Sequence, residues 1–236
     1  MMRFTFLLST WFAVSVTACA STPGAKPQDM SAAAHDTMAG DAAASAARHQ
    51  GEYLPAARDP NKGCGVFHVC WEDLANPTTA HQAEADQQRK MAADHRAASQ
   101  ALRDAEARGC AGISERDRDV SPFFHGQDLE RVEPLIQEIR FQGGTGSSEE
   151  TVGAVVYFRP VPGLTQELLQ RIVNCHLARN AAAGHVAPEM AYCPLVPRGV
   201  AAQVRSDGDG FAVEIRSRDA DAAHEVLRRA RGLVKP

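Results

Sequence analysis

The sequence predicts an α+β fold, in which a four-stranded, largely antiparallel sheet carries two helices on one face and follows a disordered tether and a long N-terminal helix. Three observations support this prediction. Apolar and polar residues alternate in four short segments of the C-terminal half. After each pair of these alternating segments, apolar residues recur every three or four positions, which is the spacing of a helix. Ahead of them, residues 80–108 contain no proline or glycine. The predicted order is therefore a long helix and then two strand–strand–helix units.

The first strand–strand–helix unit starts near Pro134. Because proline cannot donate to a strand ladder, Pro134 indicates that the first strand starts late or lies at an edge of the sheet. The glycine-rich residues 143–146 separate its two strands, which predicts a hairpin. A helix is expected from about Leu164 to Ala182. The apolar residues that define these elements are Leu135, Ile139 and Phe141, then Val152, Ala154, Val156 and Phe158, then Leu168, Leu169, Ile172, Val173 and Leu177.

The second unit repeats the same order of elements. Residues 207–210, with the sequence Asp-Gly-Asp-Gly, predict the turn between its two strands. Arginines near the C-terminal end of its helix suit the negative end of the helix dipole. The apolar residues that define this unit are Val200, Ala202 and Val204, then Phe211, Val213 and Ile215, then Ala223, Val226, Leu227, Ala230 and Val234.

The long helix has a predicted start and a predicted end. Thr79, with Gln82 three residues later, has the pattern of a capping box, and Gly109 is the expected stop. Met91 and Leu102 are the only large apolar side chains between them, whereas an amphipathic helix normally carries a broad apolar stripe. We therefore expect a mostly solvated helix. The alternative is a helix that packs through its alanines against a partner.

Residues 20–62, which precede this helix, are rich in Ala, Ser, Gly, Asp and Pro, and Tyr53 is their only aromatic residue. Such a segment buries too little apolar surface to offset the entropy of ordering it. The composition therefore predicts a flexible tether.

Charge and motifs exclude several classes of function. The chain has 25 Lys and Arg residues against 29 Asp and Glu residues, and its basic residues form no dense stripe, so nucleic acid is not an expected partner. The sequence also lacks a Gly-x-Ser-x-Gly elbow, a phosphate-binding glycine loop and a His-Glu-x-x-His motif. We assign no catalytic residue from the sequence.

The first nineteen residues carry the clearest family signal. Arg3 precedes an apolar run over residues 4–14, and the segment ends in Val16-Thr17-Ala18-Cys19. This pattern resembles a bacterial lipoprotein signal with its lipobox, which follows the general design of export signals. The resemblance implies that residues 1–18 are removed, and that Cys19 carries a diacylglycerol thioether and an acylated amine.

The same resemblance implies a location. Membrane lipid becomes a partner through Cys19, and Ala20 in place of aspartate favours the inner leaflet of the outer membrane of a Gram-negative bacterium, facing the periplasm. Two alternatives stay open. One is ordinary signal cleavage after Ala20. The other is a retained membrane anchor, although a spanning helix needs about 20 apolar residues.

Five further cysteines are expected in a compartment that oxidises thiols. Neighbours in sequence favour a Cys64–Cys70 and a Cys175–Cys193 disulfide, which leaves Cys110 without a partner. The odd number means that one thiol stays free, forms an intermolecular bond or binds a metal.

Two groups of residues have the donor types of a zinc or copper site. The first consists of Cys175, His176, His185 and Cys193, which place two thiols and two imidazoles close together in sequence. The second consists of Cys64, His68 and Cys70, with Cys110 as a further donor. A structural disulfide is the preferred interpretation of each group, and metal binding is the alternative.

The sequence thus divides into a signal peptide (1–18), a lipidated tether (19–62), a cysteine-bounded segment with the long helix (63–127) and an α+β domain (128–236). It favours a cell-envelope lipoprotein whose disulfide-braced periplasmic domain works by binding or structural support, with an envelope protein as a candidate partner and no assigned cofactor. The first alternative is periplasmic metal handling through Cys and His ligands. The second is an enzyme of unknown class.

Overall fold

The computed structural model describes residues 30–57, 76–140 and 146–234. The helices are α1 (Ala32–Glu52), α2 (Thr79–Gly109), α3 (Glu115–Asp119), α4 (Gln166–Ala182) and α5 (Ala220–Arg231), and the strands are β1 (Leu129–Arg140), β2 (Ser147–Phe158), β3 (Val200–Asp207) and β4 (Gly210–Ser217). Within these ranges, no helix is both long enough and apolar enough to cross a membrane. The predicted signal peptide and Cys19 lie outside the described residues.

The C-terminal half confirms the predicted α+β fold. The four strands form one sheet in the order β1-β2-β4-β3, and every neighbouring pair is antiparallel. The chain builds it as two strand–strand–helix units, β1-β2-α4 and β3-β4-α5. Val213 of β4 lies opposite Val156 of β2 on one side and Val204 of β3 on the other. The two units therefore meet along β2 and β4 at the centre of the sheet.

The hydrophobic core lies between one face of the sheet and the helices α4 and α5. Val156 and Val213 from the sheet, Val173 from α4 and Val226 from α5 are fully buried and belong to the same cluster. The opposite sheet face carries a smaller buried cluster of Val155, Tyr157 and Ala212, with Leu135 packed against it. There the Arg131 guanidinium lies 3.5 Å from the centre of the Tyr157 ring, a cation–π contact.

The two edges of the sheet are protected differently. β1 is an edge strand, which is one of the two alternatives that Pro134 indicates; the other, a late start, is wrong, because β1 begins at Leu129. Proline at an edge leaves no N–H for a further strand. The other edge, β3, is covered by two glutamines of α4. The Val204 N–H donates to Gln170 Oε1 at 2.7 Å, and Gln166 Nε2 donates to the Val204 carbonyl at 3.3 Å. These hydrogen bonds satisfy backbone groups of β3 that would otherwise be free to pair with another strand.

The prediction of a disordered tether is wrong for residues 32–52, because they form α1. The Ser31 hydroxyl accepts a hydrogen bond from the Ala34 N–H and caps the helix. α1 then packs antiparallel to α2, and we call this pair the α-hairpin. Its contact consists largely of alanines, which let the two backbones approach closely. The buried residues of the contact are Ala32, His35, Ala39, Ala42 and Ala46 of α1 and Ala85, Ala92, His95, Ala98, Ser99 and Leu102 of α2.

The long helix is present where the sequence predicts it, and most of its residues are exposed to solvent. It also packs through alanines, as the alternative predicted, because its narrow buried face lies against α1. The predicted capping box does not form. Thr78 is the N-cap residue, and the Thr79 hydroxyl donates instead to the Asn76 carbonyl at 2.9 Å.

A disulfide joins the α-hairpin to the sheet domain. It links Cys110, which follows α2, to Cys175 in α4, and so the predicted Cys175–Cys193 disulfide is wrong. The reason is the direction of the side chains. Cys175 faces α2, whereas Cys193 belongs to the core beneath the sheet, where its thiol is free, fully buried and accepts a hydrogen bond from the Ser121 hydroxyl. Cys64 and Cys70 lie outside the described residues.

Candidate functional site

Four histidines face one another in pairs along the α-hairpin. The Nδ1 atoms of His35 and His95 lie 2.9 Å apart in its buried interior, and those of His49 and His81 lie 3.3 Å apart at one end. His35 and His49 are two heptads apart on α1, and His81 and His95 are two heptads apart on α2. This matched spacing places both pairs in one antiparallel register.

The histidine positions follow the spacing of the alanine contact. On α1 the buried positions 32, 35, 39, 42 and 46 alternate steps of three and four residues, and His49 continues that series. A polar residue within such a helix contact specifies its register. Sliding α2 by one heptad would place each histidine opposite a residue other than its partner. The histidine pairs therefore select one alignment of the α-hairpin.

Glu52 completes a three-residue group at the end of the α-hairpin. Its Oε2 atom lies 2.9 Å from His81 Nδ1 and 3.3 Å from His49 Nδ1. His49 and Glu52 stand one turn apart at the end of α1, and His81 stands in the first turn of α2. The three donor atoms lie within 4.8 Å of one another, and among the described residues this is the group that could hold a metal ion. We call it the His/Glu site.

The separations between the donor atoms of the His/Glu site are close to those around a tetrahedral zinc ion. Bonds of about 2.0–2.1 Å in a tetrahedral arrangement place neighbouring donors about 3.3 Å apart. The separations of 2.9 and 3.3 Å between the donor atoms of this site are equal to that value or slightly below it. A small outward movement of the side chains is therefore enough to admit an ion. Imidazole and carboxylate donors suit zinc and other divalent transition metals.

A set of hydrogen bonds holds the chain on either side of the site. Asn76 Nδ2 donates to the Leu54 carbonyl at 2.8 Å, and the Leu54 N–H donates to Thr78 Oγ1 at 3.0 Å. The Thr78 N–H donates to Asn76 Oδ1 at 2.8 Å. Leu54 follows Glu52 closely, and Thr78 precedes His81 closely. These bonds therefore fix the end of α1 relative to the start of α2, and we call them the Asn76/Thr78 latch.

The structure does not assemble the predicted Cys175, His176, His185 and Cys193 site. Cys175 is consumed by the disulfide, so it offers no thiolate, and Cys193 is buried in the core. His176 Nε2 lies 3.0 Å from the Asp117 carbonyl, and His185 Nδ1 lies 2.9 Å from the Val196 carbonyl. Burial lowers the pKa of both histidines. Each of these residues therefore has a separate structural environment.

The second predicted group falls partly outside the described residues. Cys64, His68 and Cys70 lie there, and Cys110, the further donor, is bonded to Cys175. Cys110 is therefore not available as a thiolate in the oxidised protein.

A cleft in the sheet domain is one candidate for an enzyme site. It has a volume of about 810 Å³ and lies between the far end of the β1–β2 hairpin and the start of α5. Among the described residues, its lining contains no histidine or cysteine. Asp219, which lines the cleft, caps α5 by accepting a hydrogen bond from the Ala222 N–H. The His/Glu site, by contrast, brings two imidazoles and a carboxylate together.

Comparison with known proteins adds no family to this description. No protein-family model matches the chain, and neither a curated protein nor a solved structure shows a significant match to it. This agrees with the sequence, in which the one resemblance covers only the lipoprotein signal.

Proposed function

We propose that this protein binds a divalent transition metal ion, with zinc as the best match, at His49, Glu52 and His81, and that Cys19 anchors it in the cell envelope. The observation that carries the proposal is the convergence of two imidazole nitrogens and one carboxylate oxygen on a single point. The sequence predicted a binding role, and we propose that this role is metal binding. The proposed donors differ from the cysteines and histidines that the sequence suggested.

Hydrogen bonding alone explains this convergence poorly. Both Nδ1 atoms face the same carboxylate oxygen, so both would have to carry a hydrogen to bond with it. The two nitrogens are also 3.3 Å apart, and two N–H groups at that separation oppose each other. A bound cation removes the conflict, because each neutral imidazole then presents a lone pair. The arrangement is therefore more favourable with a metal ion than without one.

The envelope location rests on two independent features. The lipobox resemblance at Val16-Thr17-Ala18-Cys19 provides the anchor, and the Cys110–Cys175 disulfide fits an oxidising compartment such as the periplasm. With α1 starting at Ala32, an anchor at Cys19 would tether the α-hairpin within at most about 45 Å of the lipid surface. We propose the inner leaflet of the outer membrane, facing the periplasm, as the site of action.

The metal proposal is tested by titrating the full chain, purified without a histidine tag, with zinc in competition with a chromophoric chelator. We expect one specific equivalent to bind, and His81→Ala to weaken that binding by at least about tenfold, because even outer-shell partners are worth about 10–100-fold. His224→Ala is the matched control, since it removes an exposed histidine from α5. Unchanged affinity in His81→Ala, or no binding by the wild-type protein, would refute the proposal.

The anchor is tested by replacing the lipidated residue. Cys19→Ala is expected to leave unlipidated precursor and to release the protein from the membrane fraction, because the acyl chains supply the membrane affinity at about 0.8 kcal/mol per buried methylene. The measurement is intact mass together with fractionation of the host cells. Cys193→Ala, which changes a buried cysteine far from the signal, serves as the control. Processing and membrane retention that are unaltered in Cys19→Ala would contradict the assignment.

A further inference from the structure

We infer that the ion at the His/Glu site has one coordination position that the described residues leave unfilled, and that a small monodentate anion occupies it. This inference rests on the proposed metal site and adds to it the class of ligand that the bound ion accepts. The site would then be an exchange site, where an incoming donor takes the ion or delivers it, and not a closed structural centre.

The number of donors supports an open position. Zinc in a structural site has four protein ligands, whereas three protein ligands leave the fourth position to water or to an exogenous molecule. His49, Glu52 and His81 supply three, and over the described ranges no other Cys, His, Asp or Glu joins the group. The fourth position is therefore filled from outside this group.

The exposure of the three side chains shows that such a ligand can reach the ion. Glu52 is 54% exposed, His81 is 41% exposed and His49 is 29% exposed. A structural site would instead be enclosed by its own ligands and by the residues around them. Here the donors stand at an end of the α-hairpin, and a small molecule approaches them directly from solvent.

The Asn76/Thr78 latch keeps the three donors in place while the fourth ligand changes. It joins the segments that follow Glu52 and precede His81 through hydrogen bonds of 2.8–3.0 Å. Because these bonds do not involve the metal-binding atoms, loss of the outer ligand leaves them intact. Supporting hydrogen bonds of this kind preserve the geometry of a metal site.

Charge determines the type of ligand. Two neutral imidazoles and one carboxylate leave a divalent ion with one net positive charge, which favours an anion over a neutral molecule at the open position. In the exchange, the bond from the ion to a water molecule breaks, the bond to the anion forms, and the water leaves. No oxidation or proton transfer is required.

The test uses the full chain loaded with one equivalent of Co(II), whose visible absorption reports its coordination, and azide as the anion. We expect azide to change the Co(II) spectrum in a saturable way with one azide per ion, while the mass of the protein in solution stays that of the azide-free form. His224→Ala should respond as the wild type does, and His81→Ala should show no azide-sensitive spectrum.

The outcomes separate this inference from the proposed function. If the wild-type protein forms no Co(II) complex, the metal site itself fails. If the complex forms and azide leaves its spectrum unchanged, only the open position fails. A doubled mass on metal binding with no response to azide would show that a second copy supplies the missing ligand, which also overturns the inference. An azide response that persists in His81→Ala would assign it to other residues and overturn it as well.

Discussion

Removing the Cys110–Cys175 disulfide is expected to lower the free energy of unfolding by about 4 kcal/mol. The bond joins residues 65 positions apart, and closing a loop of that size removes a corresponding amount of entropy from the unfolded chain. Because a folded domain is stable by only about 5–15 kcal/mol, this loss is a large part of the total.

The remaining contacts between α2 and α4 explain why the disulfide matters there. Arg179 of α4 lies 3.5 Å from Glu106 of α2, and Arg171 donates to the Ala111 carbonyl at 2.9 Å. These are surface interactions, and an exposed ion pair typically contributes about 0–1 kcal/mol. Without the disulfide, the α-hairpin would keep these polar contacts, the close packing of Gly109 on α4 and that of Ser31 on Gly184.

The measurement is urea unfolding of the double variant Cys110→Ala/Cys175→Ala. Cys193→Ala is the matched control, because it makes the same substitution at a buried cysteine that closes no loop. We expect the control to lose less stability than the double variant, through its small cavity and the loss of the hydrogen bond from the Ser121 hydroxyl. A double variant as stable as the control would show that this disulfide contributes nothing to the fold.

The sheet domain could be predicted from the sequence because its strands and helices bury large side chains. Val156 and Val213 belong to the alternating apolar patterns of their strands, and Val226 belongs to the helical apolar repeat of α5. Each of the three is fully buried. α1 could not be found in this way. Its buried residues are mainly alanines, and the contact that stabilises it is supplied by α2, which lies far along the chain. Local composition therefore predicted disorder for a segment that tertiary packing orders.

The candidate His/Glu site was missed for a related reason. Each histidine of the α-hairpin is unremarkable by itself, and the signal lies in the two-heptad spacing that His35 and His49 share with His81 and His95. The predicted Cys175, His176, His185 and Cys193 site depended instead on proximity in sequence. The fold does not bring these residues together, because Cys175 faces α2 whereas Cys193 lies in the core.

Gly153→Ala is expected to destabilise the protein by roughly 2–5 kcal/mol, since it combines backbone strain with overpacking. Gly153 lies in β2 with a φ of 153°, opposite Leu135 of β1 and Arg216 of β4. A Cβ atom built on it would lie 1.9 Å from the Ile215 carbonyl oxygen. Neither β2 nor β4 can move away easily, because both are central strands of the sheet.

Gly208→Ala separates the two causes of that loss. Gly208 also has a positive φ, 56°, but it lies in the β3–β4 turn and a Cβ atom there would meet nothing within 4 Å. This control carries only the backbone cost, about 1–2 kcal/mol. The measurement is urea unfolding of both variants under the same conditions. If Gly153→Ala loses no more stability than Gly208→Ala, β4 does not approach β2 as closely as described. If it loses more, the excess measures how tightly the two strand–strand–helix units are joined at the centre of the sheet.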